Sequence, residues 1–408
     1  MANEATDVIV GIDTHTDTHH VAVITGYGKP LADREFLAVG SGYRKIVDFI
    51  TSHGTVTAVG IEGTGSYGAE LARTLRGEGL TVLEVNRPNR AERRLHGKSD
   101  PLDAYQAAQS VLAERGISVP KAKDGPVECL RILRTARSSA AKARTVAVNQ
   151  IKGLLVSAPE GLRAKYRGLG TPALITALQR ARPSGHVADP EYVTLLTLKA
   201  LAVRYQSLAA EIAAADASLQ EILDTYAPML CDLTGVGTEV ASQLLVTVGD
   251  NPERIGSEPQ FAALVGAAPI PASSGKTTRH RLSRGGDRNA NRALHHVVLV
   301  RMSSCRRTRD YVNKRTAEGK SKREIMRCLK RYVAREIYRQ ITNPQPAPST
   351  ADLRQQRNKL GFTIHAAASH LSQWPSVISR LERGLIRNDA LAATYRQWLA
   401  DQAPQNAN

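Results

Sequence analysis

Aromatic residues and cysteines are both scarce in this chain of 408 residues. Phe, Trp and Tyr together make up 4% of it, so base-stacking platforms are not expected to dominate any binding surface. The four cysteines, Cys129, Cys231, Cys305 and Cys328, are widely spaced and form no C-x-x-C pair. This spacing argues against a zinc knuckle and against a disulfide framework, and it fits a reducing cytoplasm.

Long apolar runs and a leader segment are lacking as well. No run approaches the roughly 18 apolar residues of a membrane span. The first residues, Met1–Glu4, do not begin a basic segment that leads into an apolar one, so no signal peptide is indicated. We therefore expect a cytoplasmic protein with no membrane partner.

Positive charge is what the chain has in excess, with a net charge of +17. Residues 276–340 hold 20 lysines and arginines against five acidic residues, which is nearly the whole surplus. A solvated helical face does not easily hold so dense a charge. The pattern predicts an electrostatic footprint for a nucleic-acid backbone.

Four carboxylates stand out in the first part of the chain. Asp13 and Glu62 each end a hydrophobic run, in the contexts Gly-Ile-Asp-Thr-His and Gly-Ile-Glu-Gly-Thr-Gly. Asp100 and Asp103 are three residues apart, so on a helix their Cβ atoms lie roughly 5–6 Å apart on one face. Carboxylate oxygens gathered in this way suit Mg²⁺, with Mn²⁺ as the alternative ion.

Residues 1–125 are predicted to form a mixed α/β domain in the order βββαβαβα, which is that of the RNase H-like (RuvC-like) fold. In that fold the first and fourth strands are neighbours, so Asp13 and Glu62 converge. The predicted strands are Asp7–Ile12, His20–Thr25, Glu35–Val39, Val56–Ile61 and Thr81–Val85, and the predicted helices are Tyr43–Ser52, Tyr67–Gly77 and Leu102–Ala113.

Plainer interpretations of the same residues remain open. A single Asp after a strand is usually a turn or cap residue, Asp100 before Pro101 is a good N-cap, and Asp103 fits an acidic first turn. His15, His19 and His20 are conceivable zinc ligands, but they lack partners at zinc spacing.

Residues 126–226 are predicted to be helical. Glu128–Leu155 carries apolar residues at steps of three and four with basic residues between them, and a second long helix runs from about Pro190 to Tyr226. A Gly- and Pro-bearing stretch, Gly161–His186, joins them. The pattern favours an antiparallel coiled-coil hairpin, either an ordinary spacer or a projecting arm that contacts partners.

Residues 227–345 form the basic region, a mainly helical domain. Leu233–Ala241 resembles the hairpin of helix-hairpin-helix modules, in which Gly235 and Gly237 let backbone N–H groups approach a phosphate. Ser274 lies in a Ser-Ser-Gly loop among cations, where a serine can attack a phosphodiester, although such a loop is usually only a turn. The predicted nucleic-acid contacts around it are Lys276, Arg279, Arg281, Arg284, Arg288 and Arg292.

These motifs together give a resemblance. Gly-Ile-Asp-Thr-His at 11–15, Glu-Gly-Thr-Gly-Ser-Tyr at 62–67, Lys-Ser-Asp-Pro-Leu-Asp-Ala at 98–104, Leu-Thr-Gly-Val-Gly at 233–237 and the Ser274 segment follow one another in this order. Over about residues 7–342 the chain strongly resembles insertion-sequence transposases of the IS one-ten family, which includes the bridge-RNA-guided recombinases.

The resemblance implies a site and partners. Asp13, Glu62, Asp100 and Asp103 match the family's DEDD carboxylates, and Ser274 matches its nucleophilic serine, with Ser273 as the alternative. It further implies a covalent phosphoserine link to DNA and a composite site in which the carboxylates and the serine come from different subunits. The implied partners are double-stranded DNA of element ends and target, a non-coding guide RNA, and further copies in homodimers or homotetramers, in the bacterial cytoplasm at the nucleoid.

The tail, residues 346–408, lies outside that resemblance and follows a Pro/Ser-bearing linker. It is similar to the helix-turn-helix of Cro/repressor-type regulators, with Thr363–Leu371 as the first helix, Ser372–Trp374 as the turn and Pro375–Arg383 as the recognition helix. The residues predicted to face DNA are Gln373, Ser376 and Arg380.

Two other functions compete with transposition. One is a metal-dependent Holliday-junction-type nuclease that uses the carboxylates and water. The other is a transcriptional regulator that acts through the tail.

Overall fold

The computed structural model describes residues 7–85, 99–275, 280–281, 283–344, 350–383 and 388–402. The chain divides into two compact units. The first contains Met1–Gly125 and Val248–Gly256, and the second contains Pro126–Thr247 and Ser257–Asn408.

A mixed six-stranded sheet organises the first unit. Its strands lie in the order β3-β2-β1-β4-β5-β6, with β1, β4 and β5 parallel to one another and the other neighbours antiparallel. The first and fourth strands are neighbours, as predicted, and they pair in parallel. The strands are β1 Asp7–Thr14, β2 Thr18–Thr25, β3 Pro30–Leu37, β4 Thr55–Glu62, β5 Val82–Val85 and β6 Ile117–Ser118.

Helices cover both faces of this sheet, namely α1 Gly40–Thr51, α2 Ala69–Gly77 and α3 Asp100–Leu112. Val10, Ile12 and Ile61 pack with α1 and α2 on one face. Ile9 and Ala58 share a second apolar cluster with α3 on the other. This mixed sheet with covering helices is consistent with the RNase H-like fold.

Two glycines let α3 lie directly on the strands. Gly11 and Gly60 pair with each other in the parallel β1–β4 ladder. A Cβ on Gly11 would lie 2.1 Å from the Ala104 carbonyl oxygen and 2.3 Å from the Ala108 nitrogen, both backbone atoms of α3. A Cβ on Gly60 would lie 2.5 Å from a Val111 methyl group. The helix therefore sits closer to the sheet than any residue with a side chain at these positions allows.

Two strands differ from the sequence-based prediction. The third strand spans Pro30–Leu37 rather than Glu35–Val39, and β6 was not predicted. β3 is an edge strand whose side chains are mostly exposed, so its residues lack the apolar run by which the other strands were recognised. β6 has two residues, too few for a period to be visible.

Two long helices form a hairpin in the second unit, α4 Pro126–Val156 and α7 Pro190–Tyr226. Arg137 pairs with Asp216, and farther along α4 the Arg144 guanidinium lies 5.7 Å from the ring centre of Tyr205. A later residue of α4 thus contacts an earlier residue of α7, so the two helices run antiparallel.

The connection between these helices is itself helical, which the sequence reading missed. α5 Glu160–Tyr166 and α6 Thr171–Arg180 lie within the stretch read only as a Gly/Pro-bearing joint. Their Leu162 and Leu178 share an apolar cluster with Ile151 of α4 and Leu198 of α7. Residues that looked like a loop therefore close the end of the hairpin.

Short helices and one small hairpin make up the basic region. Its elements are α8 Pro228–Cys231, α9 Thr238–Val248, a single 3₁₀ turn at Pro252–Arg254 that belongs to the first unit, α10 Glu258–Leu264, β7 Ile270–Pro271, β8 His280–Arg281, α11 Arg288–Ser304, α12 Arg306–Ala317 and α13 Lys322–Thr342. α13 begins with a capping box between Ser321 and Glu324, which satisfies backbone donors at its first turn.

The tail consists of four helices, α14 Ala351–Lys359, α15 Ile364–His370, α16 Pro375–Glu382 and α17 Asp389–Asp401. α15 and α16 begin and end within a residue of the two helices predicted there. Ile378 and Tyr395 lie in its apolar core. Glu382 is buried with them and accepts hydrogen bonds from Arg357 at 2.7 Å and from the Tyr395 hydroxyl at 2.7 Å, so this buried charge is paired. Across the described part of the chain, no helix is long and apolar enough to span a membrane.

Gly11→Ala should destabilise the first unit, because the new methyl group meets backbone atoms that cannot rotate away. Overpacking of this kind costs about 1–3 kcal/mol. We expect a clear fall in the melting temperature measured by circular dichroism. Gly40→Ala is the matched control, since a Cβ there meets nothing within 4 Å. Equal melting temperatures for the two variants would contradict the close packing of α3.

Candidate active site

Asp13 and Glu62 lie at adjacent strand ends. Ile12 pairs with Ile61 in the β1–β4 ladder, and the two carboxylates follow these residues. Because side chains alternate along a strand, Asp13 faces the same side as Ile9, and Glu62 the same side as Ala58, which is the α3 side. The Thr14 hydroxyl donates to the Glu62 carbonyl oxygen at 2.7 Å and ties the two ends together.

Asp100 and Asp103 lie in the first turn of α3. Asp100 was a predicted N-cap, but the structure corrects this reading, because Ser99 occupies the N-cap position and Asp100 is already helical. Asp103 is 2% exposed, and its backbone N–H donates to the Ser99 carbonyl at 3.0 Å. The helix that packs on Gly11 therefore carries both carboxylates to the end of β1, near Asp13.

His15 joins Asp13 to Asp100. Its Nε2 lies 3.1 Å from Asp13 Oδ2 and 3.4 Å from Asp100 Oδ1. The three side chains offer ligand atoms that all lie within 4.8 Å of one another. Asp13 is 6% exposed, whereas His15 and Asp100 are partly open to solvent.

The other two histidines considered as zinc ligands point elsewhere. His19 is fully buried and stacks on Tyr43, with ring centres 5.8 Å apart, and burial lowers the pKa of its imidazole. His20 Nε2 lies 2.7 Å from Asp33. The three histidines therefore do not form a common zinc site, and His15 is the one that reaches the carboxylates.

The ionisation of Asp13 is affected by His15 and by the two carboxylates of α3. Burial raises the pKa of the Asp13 carboxyl, nearby His15 lowers it, and the negative charges of Asp103 and Asp100 raise it, with a net upward shift. A cation among the carboxylates removes this repulsion. The donor set, mostly carboxylate oxygens with solvent access at Asp100 and His15, fits a divalent metal ion.

Ser274 lies in the second unit, in the segment between the antiparallel strands β7 and β8. It is exposed, and Gly275 follows with a φ of +53°, in the left-handed region. Ser273 is exposed as well. Lys276 and Arg279 lie outside the described residues.

The root of this serine loop is fixed by contacts around two glycines. Asp287 N–H donates to the Leu264 carbonyl at 2.7 Å, and Gly286, at φ +81°, would place a Cβ 2.6 Å from that same oxygen. Asn291 donates to the Gly266 carbonyl at 2.9 Å and accepts from Lys330 at 2.8 Å. Hydrogen bonds therefore hold the backbone before and after the segment that carries Ser274.

The predicted arginine contacts near the loop are solvent-exposed. Arg281 is in β8, Arg284 follows it, and Arg288 and Arg292 lie four residues apart on the first turns of α11. Asp287 caps that helix by accepting from the backbone of Asn289 at 2.7 Å. The exposed guanidinium groups therefore flank a helix N-terminus, a combination that favours phosphate.

Gly235 and Gly237 lie in the tight turn before α9. Val236 N–H donates to the Leu233 carbonyl at 2.9 Å, and Gly235 has a φ of +82°. A positive φ at this turn position is typical of a type II turn and suits glycine. Gly237 is exposed, and a Cβ there would meet nothing within 4 Å.

Two of the three tail residues predicted to face DNA lie on one side of α16. Ser376 and Arg380 are exposed and four residues apart, opposite the buried Ile378 and Leu381. Gln373 is half-buried in the preceding turn.

Sequence reasoning did not assign His15 to the carboxylates. The available signal was the Asp-x-His spacing at the end of a strand, which puts both side chains on one face. The contact with Asp100 depends on how α3 docks, and no local pattern reveals it.

Two family models match the chain. Residues 10–158 match the DEDD transposase model of the IS110 group, and residues 227–313 match the model described as "Transposase IS116/IS110/IS902 family".

Curated relatives agree with these matches. A 43.6 kDa protein of insertion element IS110 from Streptomyces coelicolor is 25% identical, over 80% of this chain and 92% of its own length. A 42 kDa protein of insertion element IS900 from Mycobacterium paratuberculosis is 23% identical, over 80% of this chain and 94% of its own. A transposase for insertion sequence element IS1328 from Yersinia enterocolitica is 29% identical, over 43% of this chain and 50% of its own.

The two models cover the unit that carries the carboxylates and the region that carries the serine loop, in the order that the sequence motifs predicted. The chain therefore belongs to the IS110 family of insertion-sequence transposases and is a DNA transposase.

Proposed function

We propose that the chain moves an insertion sequence by cutting and rejoining DNA with a carboxylate-held Mg²⁺ and a serine nucleophile. Asp13, Glu62, Asp100 and Asp103 hold the ion, and Mn²⁺ is the alternative. The observation that carries the proposal is the gathering of Asp13, Asp100 and Asp103 within the unit that matches the DEDD transposase model. A divalent ion at this site supplies positive charge to a phosphate oxygen of the scissile bond.

Ser274 is the proposed nucleophile. Its Oγ attacks the scissile phosphorus and forms a phosphoserine bond, and the serine proton passes to a base. The bond to the 3′ oxygen breaks, and that oxygen takes up a proton from an acid or from water to give a 3′-hydroxyl. Exposure of Ser274, in a segment that is followed along the chain by the exposed Arg281 and Arg284, supports this role. The arginines hold the backbone phosphates on either side, which positions the bond for attack.

The assembly is carried over from the family resemblance. We propose that the carboxylates and the serine that act on one phosphate come from different copies of the chain, in dimers and tetramers. The antiparallel hairpin of α4 and α7 is proposed to be a coiled coil that contacts a neighbouring copy. A non-coding RNA from the element's flanks is proposed to select donor and target DNA, and the excess of positive charge suits both nucleic acids.

The tail is proposed to be a helix-turn-helix that binds the element's own DNA. The short helices α15 and α16, with exposed Ser376 and Arg380 on the second, support this reading. The same surface would serve a transcriptional regulator, so the tail adds a second, non-catalytic function to the transposase.

Asp13→Asn should raise the melting temperature of the metal-free protein at pH 7. The raised pKa of Asp13 means that the folded state holds this proton more tightly than the unfolded state, so stability falls as pH rises from 3.8 through the raised pKa and stays lower above it. The asparagine removes that cost, and the advantage should shrink as pH is lowered toward 3.8.

Thermal melts in EDTA and in Mg²⁺ check this expectation. Mg²⁺ should stabilise the wild type and leave Asp13→Asn unchanged, while the exposed Asp17→Asn control behaves as wild type in both. A wild type as stable as Asp13→Asn in EDTA, or Mg²⁺ stabilisation of both, would contradict the proposed site.

Ser274→Ala should abolish a covalent protein–DNA adduct, because the only atom proposed to bond phosphorus is its Oγ. The measurement uses purified protein, Mg²⁺, DNA with the element's ends and RNA transcribed from its flanks, followed by denaturing gel electrophoresis of labelled DNA. Ser273→Ala is the adjacent control and should keep the adduct. An adduct lost only in Ser273→Ala would move the nucleophile by one residue, and DNA hydrolysis indifferent to both changes would favour the junction-nuclease function.

Arg380→Ala should weaken binding of the full chain to element-end DNA by about 1–3 kcal/mol, because it removes a contact to a base edge. The control is Arg354→Ala, an exposed arginine on α14 outside the predicted recognition helix. Fluorescence anisotropy with element-end and scrambled DNA gives both affinities. An equal loss of affinity in the two variants, or an equal loss on element-end and scrambled DNA, would contradict recognition of DNA sequence by α16.

A further inference from the structure

His15 has a place in the carboxylate cluster that the DEDD pattern does not account for. It lies two residues after Asp13 and one residue beyond the end of β1. Its backbone N–H donates to the Thr18 carbonyl at 3.0 Å, which fixes the turn where it sits. Nε2 faces both Asp13 and Asp100 rather than one of them.

The distances fit a shared metal ion. Adjacent ligands of an octahedral ion with bonds of about 2.1 Å lie about 3.0 Å apart. The separations from His15 Nε2 are 3.1 Å to Asp13 Oδ2 and 3.4 Å to Asp100 Oδ1. The same distances also fit a histidine that only hydrogen-bonds to the carboxylates. A test must therefore show whether Nε2 binds the metal ion or a carboxylate oxygen.

Solvent access favours the ligand role. The His15 side chain is 41% exposed and that of Asp100 is 44% exposed, whereas that of Asp13 is 9% exposed. A hydrated ion can therefore approach Asp13 past these two side chains. Because the His15 side chain is partly exposed, Nε2 can bind such an ion without any change in the backbone of β1.

We propose that His15 is a nitrogen ligand of the catalytic ion, bound through Nε2 beside Asp13 and Asp100. This inference rests on the proposed metal site and extends it. Mg²⁺ strongly prefers oxygen ligands, whereas Mn²⁺ and the later transition metals accept imidazole more readily. The site should therefore select Mn²⁺ over Mg²⁺ more strongly than four carboxylates alone would.

Pulsed electron paramagnetic resonance of Mn²⁺ bound to the full-length protein tests this directly. A coordinated imidazole adds a ¹⁴N modulation to the spin echo, and His15→Gln should remove it and weaken Mn²⁺ binding by about 10-fold or more, with a smaller change for Mg²⁺. The control is His53→Gln. His53 follows α1, and its imidazole hydrogen-bonds to the Phe49 carbonyl at 2.7 Å. Wild-type protein labelled with ¹⁵N only in histidine gives a second measurement that needs no substitution.

The outcomes distinguish a failure of the His15 proposal from a failure of the carboxylate metal site. A ¹⁴N signal that is kept in His53→Gln, lost in His15→Gln and altered by ¹⁵N-histidine supports the proposal. Mn²⁺ binding that Asp13→Asn abolishes but that carries no histidine nitrogen signal overturns the role of His15 and leaves the carboxylate site standing. Mn²⁺ binding that is insensitive to Asp13→Asn overturns both.

Discussion

The close packing of α3 on the β1–β4 strand pair is the contact on which the carboxylate cluster depends. Gly11 and Gly60 face each other in the ladder, and their missing side chains make room for the helix backbone. Asp103 and Asp100 then lie over the end of β1, near Asp13. Burial raises the pKa of the Asp13 carboxyl, and the negative charges of Asp103 and Asp100 raise it further, while His15 lowers it. The packing therefore gathers carboxylates in an arrangement that a divalent metal ion would stabilise.

The second unit is proposed to meet a different requirement, which is to present Ser274 and several exposed arginines to DNA. Hydrogen bonds of Asp287, Asn291 and Lys330 hold the backbone at Leu264 and Gly266 and around Gly286, before and after the segment that carries Ser274. Exposed arginines lie in β8 and on the first turns of α11, which follow Ser274 in the chain. Positive charge on a hydrogen-bonded support suits backbone phosphates.

Much of the first unit could be predicted from sequence because its strands are apolar, β-branched runs with a carboxylate at the end of two of them. The edge strand β3 was misplaced because its exposed residues carry no apolar period, and helices α5 and α6 were missed because glycines and prolines lie between short apolar segments. The contact between His15 and Asp100 joins residues far apart in the chain, so it appears only once α3 is docked. The surroundings of Ser274 likewise depend on tertiary contacts at its root rather than on the Ser-Ser-Gly letters.

Anomalous X-ray diffraction from crystals of the full chain grown with Mn²⁺ is the most direct test of the account. We predict an anomalous peak about 2.1–2.2 Å from carboxylate oxygens of both Asp13 and Asp100, with Asp103 and Glu62 oriented toward the same ion directly or through water. A peak that makes no contact with Asp13, or a Glu62 side chain on the α1 and α2 side of the sheet, would contradict the claim that the four carboxylates form one metal site.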